Sequence, residues 1–137
     1  MRKSATPLCL MAVFAAALAA CSSDKVVLEN PNIFPSDFRK EVLSTLQNFL
    51  SDPTKIRDAY LSDPVLTPVD KDQRYSICVR YNARNNLHQY LGSTDRIGYF
   101  FGGHLNQLVL ATKEQCGNAA YKPFPELEQI CPAKSCK

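Results

Sequence analysis

The chain has 137 residues, 45% hydrophobic and 21% charged, which is ordinary for a globular protein with room for one modest core. Its formal charge of +3 overstates the balance, because Arg2 and Lys3 lie in a segment expected to be removed. Taking those two from the 16 basic residues leaves 14 against 13 acidic, a net of +1. A charge that even gives no argument for DNA or RNA as a partner.

The first twenty residues read as a processing signal. Arg2 and Lys3 form a short positive start, and residues 8–20 are an apolar run. That run is shorter than the roughly 20 residues a spanning helix needs. It ends in Leu18-Ala19-Ala20-Cys21, which resembles the lipobox of bacterial lipoproteins. The resemblance implies cleavage before Cys21, with the thiol as acceptor for a diacylglyceryl group and the membrane as partner through that lipid anchor. Ser22 rather than Asp after the cysteine implies, by the sorting rule of such proteins, the outer membrane facing the periplasm. The alternative is ordinary secretory cleavage nearby, with Cys21 unmodified.

Residues 22–35 lack a helical period and contain Asn30-Pro31 and Pro35, so they read as an extended tether. An edge strand over 26–28 is the alternative. Ser36 is placed as an N-cap, and Asp37 suits the positive end of the helix behind it. Phe38, Val42, Leu43, Leu46, Phe49 and Leu50 then recur on one helical face, ending near residue 51. Asp52-Pro53 offers a cap followed by proline at the first helical position. This predicts a second helix over 53–61 with Ile56, Ala59 and Tyr60 inward, stopped by Asp63-Pro64. Residues 65–69 make a short strand, which Pro68 places at a sheet edge.

The stretch 74–103 is the organising centre. Tyr75, Ile77, Val79 and Tyr81 alternate with Arg74, Ser76, Cys78, Arg80 and Asn82, predicting a strand with one apolar face and one basic, cysteine-bearing face. A polar loop leads to a second strand over 96–101. Gly102-Gly103 supplies a two-residue turn, and 105–111 returns. Residues 112–120 read as loop, 122–125 as extended, and 126–130 as one helical turn. The expected fold is α+β: two N-terminal helices on one face of an antiparallel sheet of about four strands, with a disulfide-stapled C-terminal tail. The expected divisions are a signal over 1–20, a lipidated tether over 21–35 and one domain over 36–137.

With Cys9 removed and Cys21 lipidated, Cys78, Cys116, Cys131 and Cys136 remain. An even number in an oxidising periplasm reads as two disulfides with three connectivities available. Cys78 faces away from the apolar side of its strand, and Cys116 follows the last strand where the chain must turn back. Those positions favour Cys78–Cys116 with a small local ring Cys131–Cys136. Zinc is the competing reading, but no Cys-x-x-Cys pair exists and His88 and His104 are distant in sequence.

His88 and His104 are also the only neutral-pH bases, and neither has a nucleophile motif beside it. No catalytic residue, cofactor or metal is therefore assigned. The basic strand face is the candidate site: Arg74, Arg80, Asn82, Arg84 and Asn85 form a surface suited to anionic groups. Its partners would be an envelope protein or an anionic envelope glycan or lipid. The competing readings are a plain solvated face and a face covered by the chain's own acidic tail, with the arginines paired to Glu126 and Glu128.

Cys78-Val79-Arg80-Tyr81-Asn82-Ala83-Arg84-Asn85, then Tyr90, Gly92, Cys116 and Tyr121-Lys122-Pro123-Phe124-Pro125-Glu126-Leu127-Glu128, resemble small uncharacterised lipoproteins of rhizobia-type alphaproteobacteria. The likeness spans residues 36–130 and implies lineage and location, with no activity attached. The functional expectation is a non-enzymatic envelope lipoprotein serving as a binding or scaffold module. A periplasmic inhibitor or immunity-type protein is the alternative, inserting the loop 88–95 into a partner's cleft. A cell-wall hydrolase comes third.

Overall fold

The computed structural model describes residues 32–130. The signal, Cys21, most of the tether and the Cys131–Cys136 pair lie outside the described residues. Alternation in the 74–84 stretch produces the long central strand β3 (Asp72–Arg84), against whose edges the other strands assemble. One edge pairs with β4 (Tyr90–Phe101), which in turn pairs with β5 (His104–Leu110). The opposite edge takes two strands end to end, β1 (Asp52–Ser62) and β2 (Val65–Val69). Leu61 lies opposite Val79 and Val65 opposite Ser76, with Asp63-Pro64 as the interruption between them. A short strand β6 (Tyr121–Pro123) closes the outer edge of β1, giving a six-stranded antiparallel sheet.

The two faces of β3 do different work. On one, Ile77, Val79, Tyr81 and Ala83 enter a core shared with Val42 and Leu46 of the helix α1 (Phe38–Phe49). On the other, Cys78 joins Ile97 and Cys116 in a smaller cluster. Beyond β5 the chain forms a one-turn helix α2 (Lys113–Cys116) inside the stretch expected to be loop. A capping box holds it: the Thr112 hydroxyl accepts from the Gln115 amide at 3.3 Å, and Gln115 Oε1 accepts from the Thr112 amide at 2.8 Å. Cys116 is bonded to Cys78 with 5.8 Å between their Cα atoms, the pairing expected from the sequence. The chain then reaches β6, and the final turn α3 (Pro125–Glu128) swings to the helix face, burying Phe124 and Leu127.

The expectation of two N-terminal helices on four strands is corrected here. Residues 53–61 are strand, not helix, and the reason is two bulges. Lys55 and Asp58 both have φ of 52°, and the register against β3 shifts on either side of Arg57. Buried positions along β1 therefore fall at Asp52, Ile56, Ala59, Leu61 and Ser62. Gaps of four and then three imitate a helical stripe, and Tyr60, expected inward, is exposed. The bulges are fastened from outside the strand. The Tyr90 hydroxyl donates to the Lys55 carbonyl at 2.7 Å, and the Ala59 amide donates to Glu128 Oε1 at 2.9 Å. Ala59 also accepts from the Phe124 amide at 2.8 Å.

Other boundaries differ in smaller ways. The residue capping α1 is Asp37, one beyond Ser36, with no side-chain capping bond. β4 begins at Tyr90, ahead of the expected 96. The Gly102-Gly103 turn is present with both φ positive, 57° and 83°, and a Cβ on Gly103 would sit 3.0 Å from Ile33.

The Cys78–Cys116 bond closes a separation of 38 residues, worth about 4 kcal/mol in the chain-entropy account. Replacing both cysteines with Ala is expected to lower Tm by roughly 15–25 °C with the far-ultraviolet dichroism of the cold protein retained. A change of only a degree or two would show that packing alone holds the crossover.

Candidate functional site

The five residues expected to form an anionic-ligand surface are each engaged within the chain. Arg80 makes a paired contact with Asp95, Nε to Oδ1 at 2.7 Å and a terminal nitrogen to Oδ2 at 2.8 Å, and its guanidinium lies 4.5 Å from the Tyr121 ring centroid. Arg84 contacts Asp52 at 2.6 Å and donates to the Thr54 hydroxyl at 3.1 Å. Asn82 Oδ1 accepts from the Gly92 amide at 3.0 Å. Asn85 Oδ1 folds the following loop by accepting from the Leu87 and Gln89 amides at 2.9 and 3.0 Å. Arg74 stacks over Phe101 at 5.3 Å. The carboxylates serving Arg80 and Arg84 are Asp95 and Asp52. Glu126 instead binds Arg39 through both oxygens.

Asp52 is the most heavily used carboxylate. Buried at the start of β1, it accepts from the Thr54 hydroxyl at 2.5 Å, the Thr54 amide at 3.0 Å and Arg84, and meets His88 Nδ1 at 3.0 Å. The Thr54 hydroxyl is the largest of the influences holding its carboxyl well below the ordinary range; His88 and Arg84 add to this, while burial opposes them. His88 itself is exposed, with φ of 61°, at the turn between β3 and β4. The pair locks the loop to β1.

A different arginine is left without a counter-charge. Arg96 lies opposite Val79 and so projects on the helix side of the sheet. Its Nε donates to the Tyr81 hydroxyl at 2.7 Å, and its guanidinium sits 4.4 Å from the Phe49 ring centroid. Among the described residues no carboxylate lies within ion-pair distance of it. Around it opens a cleft of about 270 Å³ between the end of α1 and the ends of β4 and β5. Phe49, Leu91 and Leu110 border this cleft, and the two leucines are 69% and 66% exposed. The sequence held a signal for it: the period that sends Phe100 into the core also sends Arg96 to that face. Phe49, expected in the core, is the exposed wall of the cleft.

A larger groove of about 630 Å³ lies on the disulfide face, lined by Val65, Thr67, Ser76, Tyr99 and Gln115. Two pairs of its polar groups meet one another. The Thr67 and Ser76 hydroxyls are 2.6 Å apart, and Gln115 Nε2 donates to the Tyr99 hydroxyl at 3.1 Å. At its rim Asp63 pairs with Lys122. Size favours the groove, but a cation with no carboxylate partner among the described residues favours the cleft.

Among the described residues no three His, Cys, Asp or Glu side chains gather where they could hold a metal ion, and no helix is long and apolar enough to cross a membrane. No protein-family model matches the chain, and no curated protein or solved structure matches it significantly.

The Asp52 network carries a pH signature. Asp95, through its Arg80 hydrogen bond, and Glu126, through that of Arg39, are likewise held below their ordinary values. Depressed carboxylates stabilise the fold fully above the unfolded pKa of about 4, and that stabilisation is lost as pH falls toward the folded values. The denaturant midpoint is expected to fall steeply below pH 4. Asp52→Asn is expected to cost about 3 kcal/mol at neutral pH and to shrink the acid-dependent part. An acid limb of unchanged size in that variant would remove Asp52 as its main source.

Proposed function

We propose that this protein is a non-enzymatic envelope lipoprotein, anchored through Cys21 at the periplasmic face of the outer membrane, whose domain is a binding module. The lipobox-like Leu18-Ala19-Ala20-Cys21 supports the anchor, and a disulfide between Cys78 and Cys116 suits an oxidising compartment. The observation that carries the binding reading is Arg96, a guanidinium with no carboxylate within ion-pair distance among the described residues, lining a cleft bordered by Phe49, Leu91 and Leu110.

Its chemistry restricts what it binds. Arginine reads carboxylate and phosphate oxygens through charge-assisted hydrogen bonds, which strengthen where apolar walls exclude water. A cleft of about 270 Å³ falls just under the 300 to 1,000 Å³ of typical small-molecule pockets. It therefore suits one apolar group with an adjacent anion, presented by a larger molecule. An acidic, leucine-rich segment of an envelope protein fits, as does the phosphate and first methylenes of an envelope lipid.

A second reading rests on the loop after β3. Leu87 is 71% exposed at the tip of a turn stiffened by Asn85 and by His88 on Asp52. A rigid loop presenting an apolar tip loses little entropy on insertion, which suits an inhibitor or immunity-type protein entering a partner's cleft.

Two experiments separate these readings. Cys21→Ser is expected to abolish palmitate labelling and release the protein from membranes, and retention without label would overturn the anchor. A photocrosslinking side chain placed at Leu110 in the lipidated protein is expected to give a discrete envelope adduct that Arg96→Gln reduces at least tenfold. An adduct indifferent to Arg96→Gln but lost with Leu87→Ser would favour the inhibitor reading instead.

A further inference from the structure

The described chain enters the domain at one end of the sheet's long axis. Ile33 packs against Gly103 in the β4–β5 turn, and Phe34 meets the Tyr75 ring edge-on at 5.3 Å. Leu66 of the edge strand β2 lies opposite Tyr75. Ile33, Phe34 and Leu66 are 45%, 53% and 48% exposed, so the entry point carries a cluster of apolar side chains left about half open by the described residues.

We infer that this end of the domain, around Ile33, Phe34 and Leu66, rests on the lipid surface. The inference depends on the lipid anchor at Cys21 proposed above. Residues 22–31 separate Cys21 from Asn32. Eleven residue steps reach at most about 36 Å even when fully extended. Along β3, Tyr75 and Arg84 are nine residues apart, about 30 Å at strand rise. The tether therefore holds the entry end within its own reach of the anchor, while the Leu87 end lies about 30 Å further along β3. Such a tether also raises the local concentration of the patch at the surface to the millimolar range, where weak partition of a few side chains suffices. Charges nearby are mixed. Asp70 and Asp72 flank Lys71 in the β2–β3 turn, and Arg74 follows. Contact is therefore made by apolar side chains, and salt changes it little.

The chain contains no tryptophan, so a single introduced indole reports one place. Full-length, palmitate-labelled protein carrying Leu66→Trp, Phe34→Trp or Leu87→Trp is reconstituted into phosphatidylethanolamine–phosphatidylglycerol vesicles with brominated acyl chains. Leu66→Trp and Phe34→Trp are expected to be quenched at least threefold more than Leu87→Trp, in low and high salt alike. Equal quenching at all three positions, or stronger quenching at Leu87→Trp, overturns the orientation. So does an unquenched indole at Leu66 and Phe34 in protein whose label is intact. Absence of palmitate removes the anchor reading itself, and this inference with it. The two failures are read from different signals.

Discussion

Pairing along both edges of β3 is the constraint that the rest of the molecule obeys. The strand is bonded to β4 on one side and, in succession, to β1 and β2 on the other. Because side chains alternate across it, fixing its register also assigns its two faces. Ile77, Val79 and Tyr81 are committed to the helix side, and Cys78 to the opposite side. A slip of one residue would carry the cysteine into the core and expose the valine. The disulfide then holds the returning crossover against one strand position, so that β6 can reach the far edge of β1 and α3 can cover the helix side. The crossover follows from the register.

The parts of this fold that obey a single period were legible. The helix stripe over Val42 and Leu46, the alternation of β3 and the paired glycines at 102 and 103 each repeat one local rule. β1 was not legible, because its bulges at Lys55 and Asp58 replace period two with gaps that belong to a helix. The groups that make those bulges tolerable, Tyr90 and Glu128, are remote in sequence, so no local window contains the explanation. The same limit applies to the expected basic face. Arg80 and Arg84 do share a side with Cys78, but their carboxylates, Asp95 and Asp52, are brought to them only by strand pairing and the β1 bend. Charge that looks available along the chain is internal in the fold.

Arginine in this domain works largely as a planar cover. Of the six arginines in the described residues, five lie over an aromatic ring: Arg39 on Phe124, Arg57 on Tyr90, Arg74 on Phe101, Arg80 on Tyr121 and Arg96 on Phe49. A guanidinium is weakly hydrated and flat, so it can shield a ring edge that a tryptophan-free chain leaves partly open. Stacking therefore does not distinguish a binding arginine from a structural one here. What distinguishes them is the second contact. Arg39 and Arg80 add a two-oxygen carboxylate partner to the ring, which uses the planar fork completely.

Arg96 adds only the Tyr81 hydroxyl, a neutral oxygen reached by one of its nitrogens. It lines a cleft with Phe49, Leu91 and Leu110, and also with Ser51, Arg84 and Thr94. A guanidinium in that setting has lost part of its water without gaining an opposite charge. Arg57 and Arg74 also lack a carboxylate partner among the described residues, and the Arg74 Nε is buried without a partner, but neither arginine borders the cleft or the groove. The combination of unmatched charge and a concave surface thus occurs around Arg96. Arg96 lies opposite Val79, four residues along β3 from the Tyr75 that Phe34 touches, about 13 Å at strand rise, and the cleft runs from there toward Arg84. The apolar entry point and the cleft both lie on the helix side of the sheet, so the direction of β3 sets how far apart they are.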